Sequence, residues 1–343
     1  METEITSTSN DELKQLYMND LTHRIVEVIE NFPNKSSISS VILTGSLGRD
    51  EATFSYLSKG NTQNKEAILV SDVELALVYK LGCKKHAKIL KEILINNFKA
   101  EDMNPMTISL SRVKNMYNFN YMLVKPKYSS IFMYDLYNGS TTIWGEDLIT
   151  SKKENHLAKY DKYEAKRIVA NRIGELSYLT YVDKAKDKQI KQWEGKLMLA
   201  LGTAYCIIND NYKSPYKKQL EFIQSNQEKE NINQLFGEHF IDDYKEAYNH
   251  LRLGVNSYNV PLERIKYYVE RIDDLVFSIN TDCREPKINS FSRRLKYTVS
   301  AVKAGVSIMK VEKEIIDRLI KHFTKNQEAE LKSTSIHWKR ILY

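Results

Sequence analysis

Two apolar stretches, 41–43 and 67–79, constrain this chain more than anything else in it, because the first is broken off by a Gly-Ser turn and the second carries carboxylates that a buried strand seldom holds. The first reads Val41-Ile42-Leu43-Thr44-Gly45-Ser46-Leu47-Gly48-Arg49-Asp50-Glu51. The second reads Ala67-Ile68-Leu69-Val70-Ser71-Asp72-Val73-Glu74-Leu75-Ala76-Leu77-Val78-Tyr79. Val41–Leu43 is short, apolar and rich in β-branched residues, which predicts a buried strand. Gly45-Ser46 then turns the chain into a helix whose first N–H groups lack internal partners and can bind an anion. Gly45 lets a phosphate approach the backbone, Ser46 offers a hydroxyl and Arg49 a forked cation.

In the second stretch Asp72 and Glu74 are two apart, so a strand points both to one face and sends Val73, Leu75 and Leu77 to the other, into a core. Neighbouring carboxylates repel each other, and a cation relieves them. Mg²⁺ is the expected ion, with Mn²⁺ as a substitute, because Mg²⁺ is commonly held by one or two carboxylates plus substrate phosphates. A lone Gly-Ser is ordinarily a turn and a lone Asp-x-Glu a solvated face. Their order here, on two apolar strands with Arg49 between, favours a phosphoryl-transfer site.

These blocks resemble the nucleotidyltransferase superfamily related to DNA polymerase β. Its signature is a Gly-Ser turn, an Arg soon after, and an Asp-x-Asp or Asp-x-Glu pair on the next strand. The stretch Thr44–Thr53 is similar to the Gly-Ser-x-x-Arg-Gly-Glu form of bacterial members, with Asp50 in place of the second Gly. The resemblance covers about the first 145 residues. It implies that Asp72 and Glu74 are catalytic metal ligands and that Gly45, Ser46 and Arg49 bind nucleotide phosphates. It further implies Mg²⁺-dependent transfer of a nucleoside monophosphate from a triphosphate, ATP by expectation, to an acceptor hydroxyl. A small molecule is the expected acceptor, with a sugar or protein side chain as alternatives.

The superfamily commonly places a third carboxylate on a later strand as the base. The strand expected at Met106–Leu110 has none, and Asp102 precedes it. Asp135, an acid in the apolar segment Ile131–Tyr137, is the candidate, although a helix-surface position is the plainer expectation for it. The missing acid sustains a rival reading, a non-catalytic nucleotide-binding or regulatory protein that keeps the fold.

Length and composition agree with a two-domain globular chain of 343 residues, 28% charged and 42% apolar. The net charge of +7 suits an anionic ligand without indicating nucleic acid, and no basic-aromatic RNA module is present. Cys83, Cys206 and Cys283 are far apart and odd in number, so neither a disulfide framework nor a metal site is expected. The polar N-terminus has no signal-peptide pattern and no apolar run reaches membrane-spanning length, so a cytoplasmic protein without membrane contact is expected.

The expected architecture is α/β followed by all-α. Residues 1–150 form a small mixed sheet with flanking helices, and 151–343 a helical domain that makes the other wall of a cleft. Helical spacing marks 11–32, 84–98, 163–182, 190–208, 240–255, 261–279, 291–308 and 311–323. Residues 55–66 read as a polar surface loop, and the tail from Asn326 as polar until Ile336-His337-Trp338 docks. In the helical part Arg167, Asn171 and Arg172 on one helix and Lys196 on the next are the candidates to reach the cleft; the resemblance implies a helical-domain Lys or Arg that closes over the triphosphate, although a solvated lysine is the default for Lys196. Tyr205, Tyr212 and Tyr216 are possible stacking platforms, though core or rim positions are commoner for tyrosines.

Overall fold

A computed structural model describes residues 10–58, 65–111, 113, 131–150, 162–252, 258–278 and 311–342. They fall into two units, one within Met1–Lys159 together with Arg252–Gly254, the other within Tyr160–Leu251 and Val255–Tyr343. The first is mixed α/β and the second helical among the described residues.

The first unit opens with α1 (Asn10–Glu30). Leu21, Ile25 and Ile29 recur every four residues and are buried to 1% exposure or less, a stripe that contributes about 1.5–3 kcal/mol per side chain. Leu16 lies off that stripe and is 61% exposed. Next come β1 (Ile38–Leu43), the single turn α2 (Gly45–Gly48), β2 (Phe54–Ser58), β3 (Lys65–Leu69) and β4 (Val73–Tyr79). The series ends with α3 (Lys84–Asn97), β5 (Met103–Ser109), α4 (Ile131–Asn138) and β6 (Thr141–Gly145).

The main sheet has the order β5-β4-β1-β6. β4 runs parallel to β5 and antiparallel to β1, which is antiparallel to β6. Strand alternation explains how β4 serves two cores. Val73, Leu75 and Leu77 join Val41, Leu43 and the α1 and α3 side chains on one face. Ala76 and Val78 join Ile42, Ile108 and the α4 residues Leu136 and Tyr137 on the other. Glu74 shares the parity of Ala76 and Val78, so it belongs to the face that α4 covers.

Two local expectations need correction. The stretch expected as a loop at 55–66 carries paired antiparallel strands at its two ends, with Phe54 opposite Leu69 and Ser58 opposite Lys65. Its polar composition hid the alternation, and Phe54 is anchored by the Tyr17 ring, 5.5 Å away edge to face. The remainder of that stretch, including Lys59, lies outside the described residues. β5 starts three residues earlier than expected, at Met103.

The tail docks at Trp338 as expected, 1% exposed, and it does so as a helix, Glu328–Leu342.

The second unit comprises α5 (Tyr163–Tyr178), α6 (Asp187–Ile208), α7 (Tyr216–Ile223), α8 (Asn226–Phe236), α9 (Phe240–Arg252), α10 (Leu262–Ser278), α11 (Val311–Thr324) and α12 (Glu328–Leu342). α7, α8 and α12 were not anticipated: the first two are short, and α12 is polar over most of its length. The expected helix at 291–308, like Cys283, lies outside the described residues. Trp338 of α12 seats on Gly174 of α5, where an added Cβ would come within 2.4 Å of the indole. Lys166 of α5 ties α10 and α11 together through Asp273 at 2.5 Å and Asp317 at 2.7 Å. No helix among the described residues is long and apolar enough to cross a membrane.

Candidate functional site

The Gly-Ser turn and the acidic strand meet at one end of the sheet. β1 pairs with β4 as far as Leu43–Leu75, and one step further the Thr44 N–H donates to the Glu74 carbonyl at 2.9 Å. The Thr44 hydroxyl donates to the same carbonyl at 3.3 Å. The turn that follows is therefore fixed to the residue carrying the second carboxylate.

Gly45 adopts φ +65°, a left-handed conformation that favours glycine. Its Cα face is covered by the Glu74 side chain, and a Cβ added there would lie 2.0 Å from Glu74 Oε2. Gly48 is as closely held, because an added Cβ would lie 2.5 Å from the Leu43 carbonyl oxygen and 2.9 Å from that of Gly139. The second contact brings the segment just after α4 against the turn.

Asp72 is half-buried and immediately precedes β4, whose first residue is Val73. The expectation of both acids inside the strand is thus off by one residue at its start. The approach to Asp72 is pinned at Thr53: Val70 N–H donates to the Thr53 carbonyl at 2.9 Å, and Thr53 N–H to Ser71 Oγ at 2.9 Å.

Arg49 lies beside the turn but is not a solvated cation. Its Nε donates to Glu51 Oε2 at 3.2 Å, and the side chains are only 11% and 7% exposed. Between them Asp50 has φ +59° and points outward, 87% exposed, with its carboxylate 2.6 Å from Lys14 Nζ. Asp50 thus occupies a left-handed position at the place where the resembling pattern has Gly. Glu51 received no role of its own from the sequence; the signal for it was its place as the Glu that closes the Gly-Ser-x-x-Arg-Gly-Glu form. The helix after Gly-Ser is one turn of four residues, so its dipole adds little, and an anion there would depend on the hydroxyl, the turn N–H groups and Arg49.

On β5 the register partner of Glu74 is Asn104, an exposed amide. β5 carries no carboxylate anywhere in Met103–Ser109. Asp102, just before it, has φ +47° and its carbonyl accepts the Val73 N–H at 3.3 Å, while its side chain is exposed. Asp135 is half-buried on α4, the helix whose Leu136 and Tyr137 cover the Glu74 face of the sheet. Burial, and then the charge of Asp135, raise the pKa of the adjacent Tyr134. Among the described residues no group of three or more His, Cys, Asp or Glu side chains is arranged to hold a metal. Asp72 and Glu74 remain a pair of donors, a set that fits Mg²⁺ when phosphate oxygens complete its shell.

The candidates in the helical unit have partners there. Arg167 pairs with Glu164 at 3.0 Å, and Asn171 Oδ1 accepts the Trp338 indole N–H at 3.3 Å. Lys196 and Arg172 lie over the Trp193 ring, 4.4 and 5.6 Å from its centroid. Tyr205 and Tyr212 are 1% and 4% exposed and belong to the core; Tyr216, half-buried, opens α7. Burial, assisted by a hydrogen bond to Glu228, pushes the Tyr205 phenol well above its ordinary range. Cys83 and Cys206 are free thiols.

Compared with known proteins, the chain matches no family model and no curated sequence.

Proposed function

We propose that this protein is a nucleotidyltransferase of the DNA polymerase β-like kind, transferring a nucleoside monophosphate, AMP by preference, to an acceptor hydroxyl on a small molecule. The observation that carries the reading is the contact of the Glu74 carboxylate with Gly45, which unites the acid pair and the Gly-Ser turn in one site. Asp72 and Glu74 would hold Mg²⁺, and the ion would supply neutralisation of the triphosphate charge as pyrophosphate leaves. Ser46 and Arg49 would orient the β- and γ-phosphates, which aligns the leaving group. The acceptor oxygen forms the new bond to the α-phosphorus as the bond to the pyrophosphate oxygen breaks. The acceptor's proton passes to a base, for which Asp135 is the candidate.

A second reading, a nucleotide-binding protein without transfer activity, is favoured by Asn104, an amide in register with Glu74 on a strand that carries no carboxylate to act as the base. Calorimetry with ATP and Mg²⁺, followed by an assay of pyrophosphate release with candidate acceptors, separates the readings. Binding with release supports the enzyme and binding without release the second reading. Absence of metal-dependent ATP binding removes both.

A further inference from the structure

We infer that Glu51 is a positioning residue for the nucleotide, acting through Arg49. The inference rests on the nucleotide-binding reading of the Gly-Ser turn and extends it to a residue to which the sequence assigned no task.

The geometry is a folded-back loop. Arg49 N–H donates to the Gly45 carbonyl at 3.2 Å, and Glu51 N–H to the Ser46 carbonyl at 2.8 Å. Both backbones therefore hang on the two residues expected to face phosphate. The left-handed Asp50 between them sends its own side chain outward and lets the 49 and 51 side chains turn inward. There the Glu51 carboxylate takes the Nε edge of the guanidinium. The contact engages the inner one of arginine's five donors and fixes the plane of the guanidinium from that side.

A long, flexible arginine that grips phosphate loses rotamer freedom as it does so. Here most of that ordering has taken place before any ligand arrives, because the pair is nearly buried. A buried ion pair can also be a plain loop staple, or a device that cancels the arginine's charge. These alternatives predict different patterns of effect on ATP and AMP affinity, so they can be told apart.

The experiment measures affinities for Mg²⁺-ATP and for AMP by calorimetry, alongside thermal unfolding. The proteins are the wild type, Glu51→Ala, Glu51→Asp, Arg49→Ala and the double variant Arg49→Ala/Glu51→Ala. Glu51→Asp keeps the charge but withdraws the carboxylate by one methylene, so it tests positioning even if the alanine variant does not fold. The expected result is a loss of Mg²⁺-ATP affinity of about three- to tenfold in Glu51→Ala and Glu51→Asp, with AMP affinity unchanged. The double variant should be no weaker than Arg49→Ala alone, since Glu51 acts only through the arginine. Unchanged or tighter ATP binding in both Glu51 variants overturns the inference, and so does an equal loss for ATP and AMP, which marks a staple. If the wild type itself binds no Mg²⁺-ATP, the nucleotide reading falls and takes this inference with it.

Discussion

The carboxylate of Glu74 rests against Gly45, so closely that a methyl group on the glycine would put its carbon 2.0 Å from Glu74 Oε2. Residues 29 positions apart in the chain are thus brought together because β1 and β4 pair antiparallel and the turn continues the last rung of the ladder. Gly45 is needed twice over, once for its φ of +65° and once for the room the acid takes.

Gly45→Ala should accordingly lower stability by about 1–3 kcal/mol, the backbone strain and the collision adding together. Urea denaturation of Gly45→Ala, Glu74→Ala and the double variant checks this. The collision part should disappear when Glu74 is already alanine, and the left-handed part should remain. Strict additivity of the two single changes would show that the side chains do not meet.

Asp50 pays a backbone penalty that glycine would not. Both Asp50→Gly and Asp50→Ala delete the exposed pair with Lys14, worth no more than about 1 kcal/mol, so their difference isolates the conformation. The glycine variant should be the more stable of the two by about 1–2 kcal/mol in the same denaturation assay. Equal stabilities would mean that the φ of +59° carries no strain.

Asp72→Asn and Glu74→Gln should each abolish Mg²⁺-dependent ATP binding and leave the metal-free fold at least as stable as the wild type. Removing one of two neighbouring carboxylates relieves repulsion. Calorimetry supplies the first measurement and thermal unfolding in a chelator the second. A clear loss of metal-free stability in both variants would assign the pair a structural task instead.

Lys166 offers a test in the helical unit. Burial by itself lowers its pKa, but the hydrogen bonds and charges of Asp273 and Asp317 outweigh this and the net shift is upward. A raised folded-state pKa contributes stability that is fully present below the unfolded value of about 10.4 and fades as pH rises through the folded value. The contribution of Lys166 should therefore be constant through neutral pH and fall only in the alkaline range above about 10. Lys166→Met should cost about 2 kcal/mol at pH 7 and flatten that alkaline slope, as followed by denaturation at a series of pH values. A slope that the variant leaves intact would mean another group causes it.

The sequence by itself determined the elements of the site and much of the first unit. Alternation in 73–79 reports a strand regardless of its partners, and the four-residue recurrence of Leu21, Ile25 and Ile29 reports a helix face, since both periods follow from local backbone geometry. Gly-Ser and Asp-x-Glu could be seen as a turn and an acid pair for the same reason: each is formed by residues close together in the chain.

What only the tertiary structure decided are the relations across long separations. These are the Glu74 carboxylate on Gly45, the Asn104 amide in register with Glu74, and the approach of the segment after α4 to Gly48. Strand order and register depend on pairing energies summed over the whole sheet, and no local pattern encodes them. The burial of Arg49 with Glu51 also belongs here, because a charged pair reads as solvated in sequence and becomes an inward-facing pair only when a left-handed residue reverses the chain between them. The polar α12 shows the same limit from the other side. Its few apolar positions hold it in place because Trp338 finds the bare backbone of Gly174, a partner 164 positions away that packing alone selects.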